Sequence, residues 1–308
     1  MRRFFSNLQT PDLVITLYEA EVVQSGGVVA SIGSVNQIGS MNGADVFQEN
    51  GVVASISSVN QVGSMNEADV FQEDGVVASI GLANQVGSMN ESDIFQRDGV
   101  VASLISVNQA GFMNEADVFQ EDEVAASIAL VNQVGSMNEA AVVQDEEVAV
   151  SFGSVNQVGF MNDAFVLQQD GGVVASIGII NQVGSMNGAL VDQDGGVVAS
   201  IGSINQAGSM NGAEIEQEDV TIVNAFVNQA GSMNEAEIEQ VLVTASSAFV
   251  NQLGFMNNAT IIQASAALSL ASTTQLGSGN MHTTTQTGVG QTAIVVQIGN
   301  GNMGTITQ

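Results

Sequence analysis

The sequence predicts an all-β protein, a β-solenoid of about 12 stacked strand-arc-strand repeats whose two parallel, in-register sheets pack in an amyloid-like arrangement. Three observations predict this fold. A segment of 22 to 25 residues recurs 12 times, which is typical of solenoid proteins. Residue types alternate with a period of two inside each repeat, which is typical of β-strands. Acidic residues occupy only one half of that alternation.

The repeat is defined by two glutamines that lie 11 residues apart. The first recurs from Gln37 to Gln297, and the second recurs from Gln48 to Gln308. In all 12 repeats a glycine follows the first glutamine by two residues and an asparagine follows it by five. The repeats span residues 25–308, and residues 1–24 are expected to form an N-terminal leader with a degenerate half repeat. No apolar run of signal-peptide length is evident in that leader.

Each repeat is expected to form a strand, a tight turn around Gly39 and Ser40, a second strand and a loop. The inward side chains of the first repeat are expected to be Ser31, Gly33, Val35, Gln37, Asn42, Ala44, Val46 and Gln48. Two such strands cannot bury a face alone, but stacking on the next repeat buries it. Met41 and its equivalents up to Met256 are expected to fill gaps at the turn.

The positions of the acidic residues agree with this assignment. Of the 32 Asp and Glu residues, none falls on an inward position of any repeat. They lie instead in the loop after the second glutamine or on outward strand positions such as Asp45, Asp69, Asp93 and Asp117. Burial of an unpaired carboxylate is very costly, so this distribution indicates a real inside and outside. The four outward aspartates are expected to act as gatekeepers against premature aggregation.

Identical inward residues should stack at the strand spacing of roughly 4.8 Å. Amides stacked in this way can each donate to one neighbour and accept from the other. The residues expected to form structural ladders are Ser31, Gln37, Gly39, Asn42, Ala44, Gln48, Gln61, Asn66, Gln72, Gln85, Asn90, Gln96, Gln297, Asn302 and Gln308.

The order Ser-x5-Gln-x-Gly-x2-Asn-x-Ala-x3-Gln, which runs from Ser31 to Gln48, resembles the curlin repeat, and the likeness extends over residues 31–308. The resemblance implies the major subunit of curli-type fibres, which are extracellular functional amyloids of the biofilm matrix used for adhesion and surface colonisation. It also implies a homopolymer without cofactors, a minor nucleator subunit and secretion through a dedicated outer-membrane pore.

The sequence also suggests how such a fibre grows. The last carboxylate is Glu239, so residues 240–308 contain no acid and are expected to nucleate fastest in head-to-tail growth. Gln308 closes the last repeat, and no polar cap is expected after it. The alternative is a soluble monomeric β-solenoid that acts as an adhesin or a surface-binding protein.

Composition argues against several other functions. Three Lys and Arg residues and a net charge of −29 disfavour nucleic-acid binding and docking on anionic membranes. No membrane insertion is expected. An enzyme is not expected either, because the chain has no Cys or Lys, a single histidine, His282, and carboxylates that form a repeated field.

Repulsion between stacked carboxylates should raise their pKa values, so acidic pH or divalent cations should promote assembly. The outward ladder from Phe47 to Phe119 could either stabilise by stacking or bundle fibres laterally.

Overall fold

The computed structural model describes residues 19–145, 147–169 and 174–308. The first half of the described chain contains β1 (Glu19–Ser25), β2 (Ile32–Ser40), β3 (Gly43–Glu49), β4 (Ile56–Ser64), β5 (Glu67–Glu73), β6 (Ile80–Ser88), β7 (Glu91–Gln96), β8 (Leu104–Phe112), β9 (Glu115–Gln120), β10 (Ile128–Ser136), β11 (Glu139–Gln144), β12 (Ser151–Phe160) and β13 (Asp163–Gln169). The second half contains β14 (Ser176–Ser185), β15 (Gly188–Asp194), β16 (Ile201–Ser209), β17 (Gly212–Glu218), β18 (Asn224–Ser232), β19 (Glu235–Val241), β20 (Ser247–Phe255), β21 (Asn258–Ala264), β22 (Leu270–Ser278), β23 (Met281–Gln286), β24 (Thr292–Asn300) and β25 (Met303–Thr307).

These strands confirm the predicted β-solenoid of about 12 turns. The odd-numbered strands form a 13-stranded sheet and the even-numbered strands form a 12-stranded sheet. All neighbouring strands are parallel and in register, so Gln37 pairs with Gln61 and Gln48 pairs with Gln72. The register survives changes in repeat length, because Gln275 pairs with Gln297 although they are only 22 residues apart. Among the described residues there is no helix, and hence none that could cross a membrane.

Strand β1 extends the 13-stranded sheet at the N-terminal end. It pairs with β3 in register, with Ala20 opposite Ala44 and Gln24 opposite Gln48. Residues 19–25 therefore occupy the place of a half turn. Residues 1–18, the rest of the leader that the sequence predicts, lie outside the described part of the chain.

The predicted turn position is wrong by two residues. Gly39 and Ser40 are the last residues of β2, and the chain turns at Met41 and Asn42. Met41 has a left-handed backbone with φ of 54° and a side chain that is 53% exposed, so it does not fill a gap as expected. Gly39 still requires glycine, because its φ is 130° and a Cβ there would overlap the carbonyl oxygen of Gly63.

The segment after the second glutamine forms a third stacked side, although the sequence predicted a loop there. Val52 is fully buried, and Val53 forms parallel bridges to Val29 and Val77 in the adjacent turns. The buried members of this second apolar cluster are Val52, Val76, Val100, Val124, Val148, Val197, Val220, Val223, Val243 and Ala266. This cluster fills the third side of the solenoid and removes additional apolar surface from water.

The main core lies between the two sheets and consists of stacked valine, isoleucine and alanine side chains. Small residues on the 12-stranded sheet let the sheets approach closely. A Cβ placed on Gly81, for example, would lie 2.9 Å from Cγ1 of Val70 on the facing sheet. The distance between the two sheets is therefore short, and the small side chains next to the amide ladders set it.

Candidate functional site: amide ladders and the acidic face

The buried glutamines of the 13-stranded sheet form a continuous ladder of side-chain hydrogen bonds, the Gln48 ladder. Nε2 of Gln48 donates to Oε1 of Gln72 at 2.9 Å, and Nε2 of Gln72 donates to Oε1 of Gln96 at 2.7 Å. The pattern continues to Gln286, whose Nε2 donates to Oε1 of Gln308 at 3.2 Å. Each interior amide therefore gives and receives a bond inside the core, which is what makes its burial tolerable.

The glutamines of the 12-stranded sheet form a second ladder, the Gln37 ladder, that also ties the two sheets together. Nε2 of Gln61 donates to Oε1 of Gln85 at 2.9 Å and to the carbonyl oxygen of Gly43 at 2.7 Å. Gly43 lies on the opposite sheet. Both hydrogens of this amide are used, so neither a shorter nor a charged side chain can replace it without leaving a buried group unpaired.

The buried asparagines form a third ladder, the Asn42 ladder, at the turn between the sheets. Nδ2 of Asn66 donates to Oδ1 of Asn42 at 3.3 Å and to the carbonyl oxygen of Gly87 at 3.2 Å. The backbone N–H of Asn66 donates to the same Asn42 oxygen at 3.1 Å. One side chain thus links three consecutive turns, which explains why glycine and asparagine keep their fixed spacing in every repeat.

The hydrogen bonds within each ladder all point the same way along the solenoid axis. Their direction in the Asn42 ladder is opposite to that in the two glutamine ladders. In both glutamine ladders the nitrogen of each turn donates to the turn that follows it, as from Gln61 to Gln85. In the Asn42 ladder each nitrogen donates to the preceding turn, as from Asn90 to Asn66 at 3.0 Å. The two ends of the solenoid therefore present different hydrogen-bonding groups.

The remaining predicted ladder residues lie beside these amides. The Oγ of Ser31 accepts a bond from the N–H of Ser55 at 3.1 Å, and Ala44 is buried beneath the sheet. Where Ser92 replaces alanine in the Ala44 column, its buried Oγ has no hydrogen-bond partner. That column is therefore built for a small apolar side chain.

The last turn continues all three ladders but is less covered. Gln275 donates to Gln297 at 2.9 Å, and Nδ2 of Asn302 donates to Oδ1 of Asn280 at 2.8 Å. Gln308 is exposed, whereas Gln286 in the preceding turn is fully buried.

The acidic face is the outward surface of the 13-stranded sheet. Asp45, Asp69, Asp93 and Asp117 lie in register on four successive strands and are half-buried. Two residues further along the same face, four phenylalanines stack in parallel with ring centroids 4.9 to 5.1 Å apart, namely Phe47, Phe71, Phe95 and Phe119.

Burial raises the pKa of Asp69, Asp93 and Asp117 to about 6, and neighbouring carboxylates add to the shift. Burial also raises the pKa of Asp45. The sequence predicted the direction of these shifts but assigned them to repulsion alone. Loss of hydration is the larger cause here, because these carboxyls lie between neighbouring strands rather than free in water.

The described cationic and histidine side chains are few. Arg97 forms an exposed ion pair with Glu121, with 2.8 Å between Nη2 and Oε2. His282 occupies the Ala44 column and is buried, with Nε2 lying 2.9 Å from Oγ1 of Thr284. In the described ranges, no three His, Asp or Glu side chains come together as metal ligands.

One further ladder, on the outer surface of the 12-stranded sheet, was not predicted from the sequence, and we call it the outer Asn ladder. Nδ2 of Asn60 donates to Oδ1 of Asn84 at 2.9 Å, and the series continues through Asn132 to Asn251. The signal was present, because an asparagine precedes the first glutamine in ten of the 12 repeats. An outward amide has water as a partner, so its position gave no reason to expect hydrogen bonds between neighbouring asparagines.

No protein-family model matches this chain, and no curated protein matches it.

Proposed function

We propose that this chain is a structural subunit that self-assembles head-to-tail into extracellular amyloid fibres of the curli type. Such fibres would serve biofilm matrix, adhesion and surface colonisation. The observation that carries the proposal is the unbroken, in-register stacking of identical turns with hydrogen-bonded Gln and Asn ladders. This is the arrangement found in cross-β fibrils, here within one chain.

Repetition of the turn makes one copy of the chain a template for another. Nε2 of Gln297 donates to the carbonyl oxygen of Met281, on the opposite sheet, at 3.0 Å. The equivalent glutamines of earlier turns make the same bond to the opposite sheet. In earlier turns the second hydrogen of the equivalent amide goes to the following glutamine, as from Gln61 to Oε1 of Gln85. Gln37 of a second copy can supply the corresponding oxygen for Gln297, since every turn offers the same groups to the next one.

The distribution of charge supports the same proposal. Acids surround the first nine repeats, and residues 240–308 have none. Neutral strands favour pairing with another chain, whereas stacked carboxylates oppose it. The proposed partners are therefore further copies of the chain, with a minor nucleator subunit and an outer-membrane secretion pore that the resemblance to curlin repeats suggests.

The test uses the purified full chain, negative-stain microscopy and fibre diffraction. Fibres should grow with reflections near 4.7 and 10 Å. Asn302→Leu removes a ladder amide from the last turn and should slow elongation from wild-type seeds. Thr305→Leu changes an exposed residue of the same turn that lies outside the three buried ladders, and it should elongate at the wild-type rate. Monodisperse monomers that persist after seeding would contradict the proposal and support the soluble adhesin instead.

A further inference from the structure

The outer surface of the 12-stranded sheet carries no charged residue on any of its strands. We call this surface the neutral face. In β10, for example, the outward residues are Ile128, Leu130, Asn132, Val134 and Ser136. The acids of the repeats all lie on the other sheet or in the segment after the second glutamine. The solenoid therefore has one neutral side and carries its acids on the other two, although its overall charge is −29.

The neutral face is also strongly apolar. Val134 is 51% exposed, Val183 is 55% exposed and Leu253 is 54% exposed, and all three belong to one column. The outer Asn ladder beside this column pairs its own amides along the axis, so burying it would leave few polar groups unpaired. Soluble monomers rarely expose contiguous apolar surface on this scale, and such surface usually marks an interaction site.

The neutral face is large enough for a stable interface. Twelve strands of about nine residues cover roughly 58 Å by 30 Å, or about 1,700 Å², at ordinary strand spacings. A specific protein–protein interface needs only about 800 Å² from each partner.

The face has a ridge and a groove that match each other. Phe226 and Phe249 stack with ring centroids 5.4 Å apart and form the ridge. The groove, of about 620 Å³, lies where Ala207 and Ala230 replace larger residues, and it also borders Leu253. The ridge and groove columns lie on opposite sides of the outer Asn ladder, two residues away from it on each side.

We propose that a second copy of this chain packs on the neutral face, related by a two-fold axis that runs along the outer Asn ladder parallel to the solenoid axis. Such an axis places Phe226 of one copy over Ala230 of the other at the same height. Phe249 then lies over Leu253 of the other copy, and Leu130 lies over Val134. This interface is isologous, because each copy contributes the same ridge and the same groove.

Charge selects a second copy as the occupant. Two copies can meet through their neutral faces with both acidic faces turned outward to water. Pairing of two acidic faces would bring like charges together, and packing an acidic face on a neutral one would bury unpaired carboxylates, and both are costly. The proposal goes beyond head-to-tail growth, because lateral pairing can occur between single chains as well as between fibres.

Cross-linking tests the position of the interface, and the natural chain contains no cysteine that would interfere. Asn132→Cys places a thiol on the proposed axis, whereas Val143→Cys places one on the acidic face in the same turn. Packed sheets are about 10 Å apart, too far for a disulfide, so a short bifunctional thiol reagent is the appropriate probe. Covalent dimers should form with Asn132→Cys and not with Val143→Cys. Equal yields, or dimers with Val143→Cys alone, would overturn the proposal.

A matched pair of charge substitutions tests its energetics. Val134→Asp would bury a carboxylate against Leu130 of the second copy and should weaken pairing by at least about tenfold. Val143→Asp adds the same charge in a column where Asp192 already occurs, and it should leave pairing unchanged. Sedimentation of the unassembled chain and the width of assembled fibres are the readouts. If Val134→Asp sediments as wild type does, the proposal fails.

These outcomes are independent of head-to-tail growth. A chain that pairs in sedimentation but never forms fibres contradicts the proposed function and leaves the lateral interface intact. Fibres of single-solenoid width, formed equally by wild type and Val134→Asp, contradict the interface and leave the proposed function intact. Wild-type circular dichroism of both Asp variants shows that each still folds.

Discussion

Asp69 lies in register with Asp93 on the adjacent parallel strand, and burial raises the pKa of each carboxyl to about 6. A carboxyl with a higher pKa in the folded state than in the unfolded chain favours folding when it is protonated. That contribution is present below the unfolded value near 3.8 and is lost as the pH rises through about 6. The acidic face is therefore a pH-sensitive part of the molecule.

We expect the chain to be more stable, and to assemble faster, at pH 5 than at pH 8. Replacing Asp69, Asp93 and Asp117 together by Asn should reduce this difference, because three of the four described carboxyls whose pKa burial raises to about 6 are then gone, and only Asp192 remains. Urea unfolding and seeded growth at both pH values measure the effect. The control replaces Asp74, Asp98 and Asp122, which lie after the second glutamine, and removes the same charge. If this control abolishes the pH difference equally, net charge and not burial is the cause.

Interrupting a buried ladder should cost more than interrupting an exposed one. In Gln96→Leu, the Nε2 of Gln72 and the Oε1 of Gln120 both lose their partner inside the core. Each unpaired buried group costs about 1–3 kcal/mol, so the free energy of unfolding should fall by at least about 2 kcal/mol. Asn84→Leu breaks the outer Asn ladder next to solvent and should cost less than about 1 kcal/mol. Chemical denaturation compares the free energies of unfolding of the two variants. Equal decreases would show that an interrupted buried ladder costs no more than an interrupted exposed one.

The glycine after the first glutamine should be irreplaceable. Gly111 has φ of 140°, and a Cβ there would overlap the carbonyl oxygen of Gly135 in the next turn. We expect Gly111→Ala to lower the free energy of unfolding by more than about 2 kcal/mol. Gly188 is the matched control, because nothing lies within 4 Å of the position its Cβ would occupy. A Gly111→Ala variant as stable as Gly188→Ala would show that the strands can shift apart locally.

His282 should weaken the last turns at acidic pH. Burial lowers its pKa from 6.5, and the backbone of Gly304 opposes this only in part. The folded state therefore favours the neutral ring, and stability is lost as the pH falls toward and below 6.5. Amide hydrogen exchange of β23 and β25 should accelerate between pH 7 and pH 5, after correction for intrinsic rates. His282→Ala restores the usual residue of this column and should remove the acceleration. A wild-type chain with flat protection would exclude the effect.

The repeat and its alternation were sufficient to predict the sheets, because a period of two assigns each strand residue to one face. Gln37 and Asn42 could be placed inward for the same reason. The alternation rule fails at corners, where single left-handed residues change the direction of the chain. Met41 and Ala54 both have φ of 54°, and neither methionine nor alanine is a residue type that predicts a left-handed conformation.

The Val52 column was missed for that reason. It lies between the left-handed residues Asn50 and Ala54, so its inward direction cannot be counted from either strand. The half-burial of Asp69 was also beyond sequence reasoning. It depends on the neighbouring strands and their carboxylates, which only the folded face brings together.

All variation in repeat length falls between the second glutamine of one repeat and the first glutamine of the next, where the spacing ranges from 11 to 14 residues. The ladders on both sides keep their register across these changes, from Gln157 paired with Gln182 to Gln275 paired with Gln297. This corner thus accommodates differences in length without changing the register of either sheet. Foreign peptides grafted between the second glutamine and the buried Val52 column would be displayed once per turn, at regular intervals along the solenoid.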